Sequence, residues 1–281
     1  MKFGIALGLV LALTAVECSS GAERPTDLIH PQGEAVVLET PEGVRFGIWG
    51  KDPTYPAPVL FVFSSTIQES LEDPYFRQCG NALSDQGYLC VSLDLPGHGL
   101  EKRKTEPGGL AAWRHRSDQG EDFVTPFVEK AKSALDHLIE SGYADPDRIA
   151  VCGTSRGGFM ALQFAAAEPR IRATATFAPV TALEELREFE GASNPTLVTD
   201  LSLDAKAEAL AGRSLWIIIG DRDERVGTDH AIAFARHVTQ ASLAQEKPAD
   251  VTLIVQPEPK GHTTPQGAPE LAAKWIAERL K

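Results

Sequence analysis

The stretch that most restricts the fold lies near the middle of the chain. An apolar run, Arg148 to Cys152, leads into Gly153-Thr154-Ser155-Arg156-Gly157-Gly158, and then into Phe159 to Ala167. The first part reads as a buried strand and the last as a helix. A Gly-x-Ser-x-Gly turn between them bends sharply and lifts the serine hydroxyl above the sheet edge. Gly153 and Gly157 stand where strand and helix backbones approach, so a side chain at either would clash. The Arg156 amide falls at the helix N-terminus, where unpaired N–H groups and the helix dipole favour a developing oxyanion. Taken alone, the pentapeptide is also compatible with a glycine-rich turn carrying an incidental serine. The rest of the chain decides between the two.

Strands and helices alternate around this unit. Glu34–Glu39 and Val44–Trp49, separated by Thr40-Pro41-Glu42-Gly43, read as an antiparallel hairpin. Val59–Phe63 is continuously apolar, as expected of a strand buried on both faces. Asp73 to Gln86 reads as a helix capped by Asp73 with Pro74 in its first turn. Tyr88–Asp94 is the next strand, ending in the breakers Leu95-Pro96-Gly97-His98-Gly99. Glu101 to Gly120 is polar and aperiodic, so a long loop is expected, and Glu121 to Glu140 has apolar residues near helical spacing. Further strands are expected at Ile171–Phe177, Ser214–Ile219 and Asp250–Gln256. Helices are expected at Asp229–Gln240 and Pro269–Leu280, with one or two more between Pro179 and Gly212. The pattern predicts an α/β fold: a mostly parallel sheet of about eight strands, entered by a hairpin, with helices on both faces.

The N-terminus reads differently. Lys2 precedes about fourteen apolar or small residues, Phe3 to Val16, which matches a secretory signal peptide and is short for a membrane span. Cleavage after Ser20-Gly21-Ala22 would leave residues 23–281 as a single exported domain without a transmembrane span, periplasmic or secreted. Cys18 would also allow lipid anchoring, although Glu17 before it is unusual for that processing. Export permits disulfides. A helix carrying Cys79 beside the strand carrying Cys90 would allow a Cys79–Cys90 bridge, whereas Cys90 and Cys152 read as small buried hydrophobes. No cysteine spacing resembles a metal site. With 27 basic against 39 acidic residues and a net charge of -12, the chain is unsuited to nucleic acid or an anionic membrane.

A serine nucleophile needs a base, and the base needs an acid to orient it; in a parallel sheet both belong on loops after later strands. The strand ending at Ile219 is followed by Gly220-Asp221-Arg222-Asp223-Glu224-Arg225-Val226, and the strand ending near Val255 by Pro257-Glu258-Pro259-Lys260-Gly261-His262. Serine, acid and histidine then follow in that order, each at its own strand end. The base is His262, and the acid is Asp221 or Asp223. The chemistry calls for no cofactor and no metal.

From about Glu34 onward the chain resembles the α/β-hydrolase superfamily, in its dienelactone hydrolase and prolyl oligopeptidase-like branches. The resemblance rests on Asp94-Leu95-Pro96-Gly97-His98-Gly99, on Gly153 to Gly158, on the Gly-x-x-Asp-x-x-Val stretch from Gly220 to Val226, and on Gly261-His262. It implies Ser155, Asp223 and His262 as catalytic residues, with Asp221 as the alternative acid. It also implies a second oxyanion donor after the strand Val59–Phe63. The His-Gly pair usual there is replaced by Ser64-Ser65-Thr66-Ile67, so the Ser65 or Thr66 amide would join that of Arg156. The Arg156 guanidinium could strengthen that hole, bind a substrate carboxylate, or pair with a loop acid. A Gly-x-Ser-Arg-Gly turn also resembles that of glucuronoyl esterases. Trp113 and Arg114, within Leu110 to Arg116, are candidates for recognising an acidic or sugar-like small-molecule ester, or for pinning the loop. His98 reads as part of its turn, His115 as a loop residue near the entrance, and His137, His230 and His237 as helix residues; His30 is in the N-terminal tail. The expected function is an exported serine esterase, with a peptidase for short peptides or a non-catalytic binding protein as alternatives.

Overall fold

The computed structural model describes Met1 and residues 28–281. The expected signal peptide, its cleavage site and Cys18 fall on residues 2–27 and lie outside the described residues.

The hairpin forms as β1 (Val36–Glu39) and β2 (Arg45–Trp49), with Val36 opposite Ile48 and Glu39 opposite Arg45. Its turn is closed by the Gly43 amide donating to the Thr40 carbonyl. β3 (Ala57–Phe63) is buried at every position, as its unbroken apolar sequence requires. A short helix, α1 (Ile67–Glu72), starts at Thr66, whose hydroxyl accepts from the Glu69 amide.

The helix expected over 73–86 is broken in two. α2 (Pro74–Arg77) starts where Asp73 Oδ1 accepts from the Tyr75 amide, and α3 (Gly80–Ser84) follows. Gln78 separates them at φ 51°, ψ -126°, a conformation that cannot continue a helix. β4 is Leu89–Ser92.

The expected loop over 101–120 is corrected: it contains a helix, α4 (Leu110–Asp118). Its polar side chains bond to the protein itself. Arg116 is buried against Glu106, with Nε to Oε2 at 2.8 Å and Nη2 to Oε1 at 2.6 Å. The remaining elements are α5 (Val124–Glu140), β5 (Ala144–Thr154), α6 (Arg156–Ala167), β6 (Ile171–Phe177), α7 (Pro195–Leu201), β7 (Leu215–Gly220), α8 (Thr228–Ala244), β8 (Val251–Gln256) and α9 (Ala268–Arg279).

The strands form one eight-stranded sheet in the order β1-β2-β4-β3-β5-β6-β7-β8. β1 and β2 are antiparallel to their neighbours and the rest are parallel. One face packs Phe61, Phe63, Phe127, Phe159 and Phe164 together; the other packs Leu60, Val62, Cys90, Cys152, Trp216 and Ile276. Burial of both faces makes the sheet rigid and fixes its carboxyl edge, the edge on which β3, β5, β7 and β8 deliver their loops. No described helix is long and apolar enough to cross a membrane.

The Cys79–Cys90 bridge is corrected as well. Cys79, Cys90 and Cys152 are all free and buried in the same apolar layer. Burial, reinforced by the neighbouring thiols, pushes the Cys90 and Cys152 thiols well above their ordinary range. They therefore stay protonated, and it is the thiolate that oxidises.

Candidate active site

Ser155 sits on the sharp turn between β5 and α6, at φ 56° and ψ -117°. This strained conformation is held on three sides. Its amide donates to the Phe177 carbonyl at 2.9 Å, and its carbonyl accepts from the Val180 and Phe159 amides. Gly153 and Gly157 make the turn possible: a Cβ on Gly153 would run into the Gly157 carbonyl, and one on Gly157 into the Phe63 carbonyl. The second contact brings the end of β3 directly against the serine turn.

Three side chains meet there from three strand ends. Ser155 Oγ lies 2.9 Å from His262 Nε2, and His262 Nδ1 lies 2.8 Å from Asp223 Oδ2. Asp223 is buried, and its Oδ1 accepts from the Arg225 and Val226 amides at 3.0 and 3.2 Å. A carboxylate in this position fixes the imidazole proton on Nδ1, which leaves the Nε2 lone pair for the serine hydroxyl. Asp221 is engaged elsewhere. Its Oδ1 accepts from the Glu258 amide at 2.9 Å, which ties the loops after β7 and β8 together.

The two expected oxyanion positions are also adjacent. Arg156 is the first residue of α6, so its amide has no carbonyl one turn back to bond. Ser65 is buried beyond Phe63–Ser64, and its carbonyl accepts from the Leu95 amide at 2.8 Å. The Ser65 amide has no partner among the described residues. The Thr66 hydroxyl caps α1, and its amide likewise has no partner among the described residues, so it remains a candidate beside that of Ser65.

Arg156 is partly buried and makes no salt bridge within the described residues. Its Nη1 donates instead to His98 Nε2 at 2.8 Å. His98 Nδ1 donates to the Pro96 carbonyl at 3.0 Å, so one tautomer satisfies both bonds. Burial and then the Arg156 charge lower the His98 pKa, keeping the ring neutral and able to accept. Burial also pulls the guanidinium down from its ordinary value, and the Glu69 charge is the main influence opposing this. Among the described residues this partly buried arginine beside the serine thus has no counter-ion, whereas the nearby Arg225 pairs with Glu188 at 2.7 Å.

Trp113 and Arg114 do not belong to this site. Trp113 is completely buried, stacks on Phe123 with centroids 4.9 Å apart, and donates from Nε1 to the Pro96 carbonyl at 2.6 Å. Arg114 donates to Asp118 and to the carbonyls of Glu188, Glu190 and Gly191, clamping α4 to the segment before α7. Its donors are consumed by the fold. His98, read from sequence as only a turn residue, is instead the partner of Arg156. Gln78 and Tyr75 were not indicated by any motif, yet both bond to the loop that carries His262.

Known proteins share this fold. Residues 74–201, short of half the chain, match the family model described as serine aminopeptidase, S33. The chain superposes on the dipeptidyl peptidase 4 of Porphyromonas gingivalis with a TM-score of 0.64 at 18% identity, over 89% of this chain and 36% of that one. A cold-adapted esterase from an Arctic intertidal metagenomic library superposes with a TM-score of 0.62 at 19% identity, over 88% of this chain and 93% of that one. The chain has the α/β-hydrolase fold. Among curated proteins, the hydrolyase poxO of Penicillium oxalicum is 32% identical over 131 residues, 46% of this chain. That match spans 28% of the fungal protein's length.

Proposed function

We propose that this α/β-hydrolase is an exported serine hydrolase that cleaves carboxylic esters through an acyl-enzyme. The observation that carries the reading is the hydrogen-bonded series Ser155–His262–Asp223, at 2.9 and 2.8 Å. Ser155 Oγ attacks the ester carbonyl while His262 Nε2 takes its proton. Negative charge gathers on the carbonyl oxygen, and the amide of Arg156 with that of Ser65 or Thr66 receives it. The tetrahedral intermediate collapses, His262 returns the proton to the departing alcohol, and Ser155 is left acylated. Water deprotonated by His262 attacks the acyl carbonyl, the bond to Ser155 Oγ breaks, and His262 returns the proton to Oγ as the acid leaves. Asp223 orients the imidazole and stabilises its charged form throughout.

The uncompensated Arg156 guanidinium extends the proposal to the substrate: a small ester carrying a carboxylate would supply the missing counter-charge. The same chemistry would cleave short peptides, a reading favoured by the serine aminopeptidase description of the matching family model. Export rests on the sequence of residues 1–22, and residues 23–281 would form the single mature domain.

Hydrolysis of short-chain p-nitrophenyl esters by the mature protein, beside Ser155→Ala, tests the reading. Activity abolished by the substitution is the expected result. Activity surviving in Ser155→Ala refutes the nucleophile assignment. A wild type that neither hydrolyses esters or peptides nor reacts with a fluorophosphonate returns the chain to a non-catalytic binding role.

A further inference from the structure

We infer that Gln78 is a positioning residue: its side-chain amide, bridging the serine strand and the histidine loop, sets the separation of Ser155 from His262. The inference rests on the site proposed above.

Gln78 lies far from any catalytic motif in sequence. Its side chain is buried, and Nε2 donates to Thr154 Oγ1 at 3.0 Å and to Thr264 Oγ1 at 2.8 Å. Thr154 is the last residue of β5 and directly precedes Ser155. Thr264 lies two residues after His262. Both protons of one amide are therefore spent joining the segment that carries the nucleophile to the segment that carries the base.

The backbone of Gln78 points the same way. At φ 51°, ψ -126° it occupies nearly the conformation of Ser155, at φ 56°, ψ -117°. Glycine adopts this region freely and other residues only under strain. A glycine at 78 would relieve that strain, yet it would carry no amide to bridge the two threonines. The fold therefore keeps a strained glutamine where its side chain is required. The Gln78 carbonyl is held by the Asn81 amide at 3.1 Å and by Asn81 Nδ2 at 2.9 Å, so the bridge springs from a fixed base.

The His262 loop has need of such a tether. It lies beyond β8, an edge strand of the sheet, and His262 is itself partly exposed. Tyr75, on α2, supplies a second tie: its hydroxyl accepts from the Thr264 amide at 3.2 Å and lies 3.1 Å from Thr263 Oγ1. Tyr75 is exposed, so water competes with it, whereas the Gln78 bridge is buried. Displacement of a catalytic group by about 1 Å can cost about 100-fold in rate, so a single buried amide at this junction has leverage on the chemistry.

Gln78→Met keeps the length of the side chain and removes both donors; Thr264→Val removes one acceptor at a partly exposed position and is the safer variant for folding. The crystal structure of Gln78→Met reads placement without any substrate. Withdrawal of His262 from its 2.9 Å separation from Ser155 is expected, and an unchanged separation overturns the inference. The labelling rate of Ser155 by a fluorophosphonate reads the consequence. Each variant should label about tenfold more slowly, or worse, and the double variant no more slowly than Gln78→Met, because both remove one bridge. Folded variants labelling at the wild-type rate, or losses that multiply, also overturn it. A wild type that fails to label refutes the serine-hydrolase reading instead, and the crystallographic comparison still judges the placement.

Discussion

Asp223→Asn is nearly isosteric and is expected to abolish catalysis through one proton. In the wild type, Asp223 Oδ1 accepts from the buried Arg225 and Val226 amides, and Oδ2 faces His262 Nδ1. Asparagine can keep the two backbone bonds only with its oxygen at the Oδ1 position. The opposite orientation would leave those amides facing an NH2 group, at about 1–3 kcal/mol for each unsatisfied donor. The NH2 group must therefore face Nδ1. Imidazole accepts that bond only by carrying its proton on Nε2, and the Nε2–H then faces Ser155 Oγ and cannot take its proton. The loss expected is about 10⁴ in kcat, as for the equivalent change in a Ser-His-Asp hydrolase. At about 1.4 kcal/mol per tenfold, that is about 5–6 kcal/mol of barrier. Initial rates on a p-nitrophenyl ester measure it, with thermal unfolding as the check that the fold persists. Asp221→Asn is the control, since an amide oxygen can still accept from the Glu258 amide, and its rate should stay near wild type. Asp223→Asn retaining more than about a tenth of the rate, or Asp221→Asn proving the damaging change, would refute the orientation argued for the acid.

Three other substitutions probe neighbouring features. Arg156→Gln should lower kcat/KM for an ester bearing a carboxylate about tenfold more than for its neutral analogue, the scale of one charge-assisted hydrogen bond. Equal losses on the two esters would remove the carboxylate subsite. Trp113→Ala should destabilise the fold by about 3–5 kcal/mol, because a buried, stacked indole is lost, and leave KM unchanged in the surviving folded protein; a raised KM with an unaltered melting temperature would return Trp113 to the substrate site. Hydrogen bonds from Arg116 hold the Glu106 pKa below its ordinary 4.5, against the opposing effect of burial. Because the folded-state pKa is depressed, this pairing stabilises the protein above about pH 4.5, and the stabilisation fades as pH falls from there through the folded-state value. Glu106→Gln should cost about 3–5 kcal/mol at neutral pH by leaving Arg116 buried without its partner, and should weaken the acid-side fall in stability. Denaturant melts from pH 3 to 7 measure both, and a variant parallel to wild type across that range would contradict the assignment.

What could be read from the sequence was local. Small residues around Ser155 report a close approach of strand and helix, and the acid and histidine follow apolar runs that end in glycine or proline. Those signals are complete within a few residues of each group. Trp113 and Arg114 misled because their partners are remote: Arg114 bonds to carbonyls more than 70 residues away, and the polar side chains that made the segment look like a loop are spent on such contacts. Gln78 was silent for the same reason, with partners 76 and 186 residues distant. Only the folded chain shows that a strained backbone and an amide donating to two threonine hydroxyls coincide there. His98 was half legible: its turn was expected, but its bond to Arg156 depends on which ring nitrogen the Pro96 carbonyl claims.

The three buried thiols have a practical consequence. With Cys79, Cys90 and Cys152 unpaired in the core, the described fold needs no oxidant to complete it and should assemble equally well in reducing and oxidising media. Each thiol is also sealed from solvent until the sheet opens. In a variant with Cys18→Ser, a thiol-exchange reagent would therefore see no reactive sulfur in the closed molecule. The rate at which colour appears would report how often the core opens, with no denaturant required.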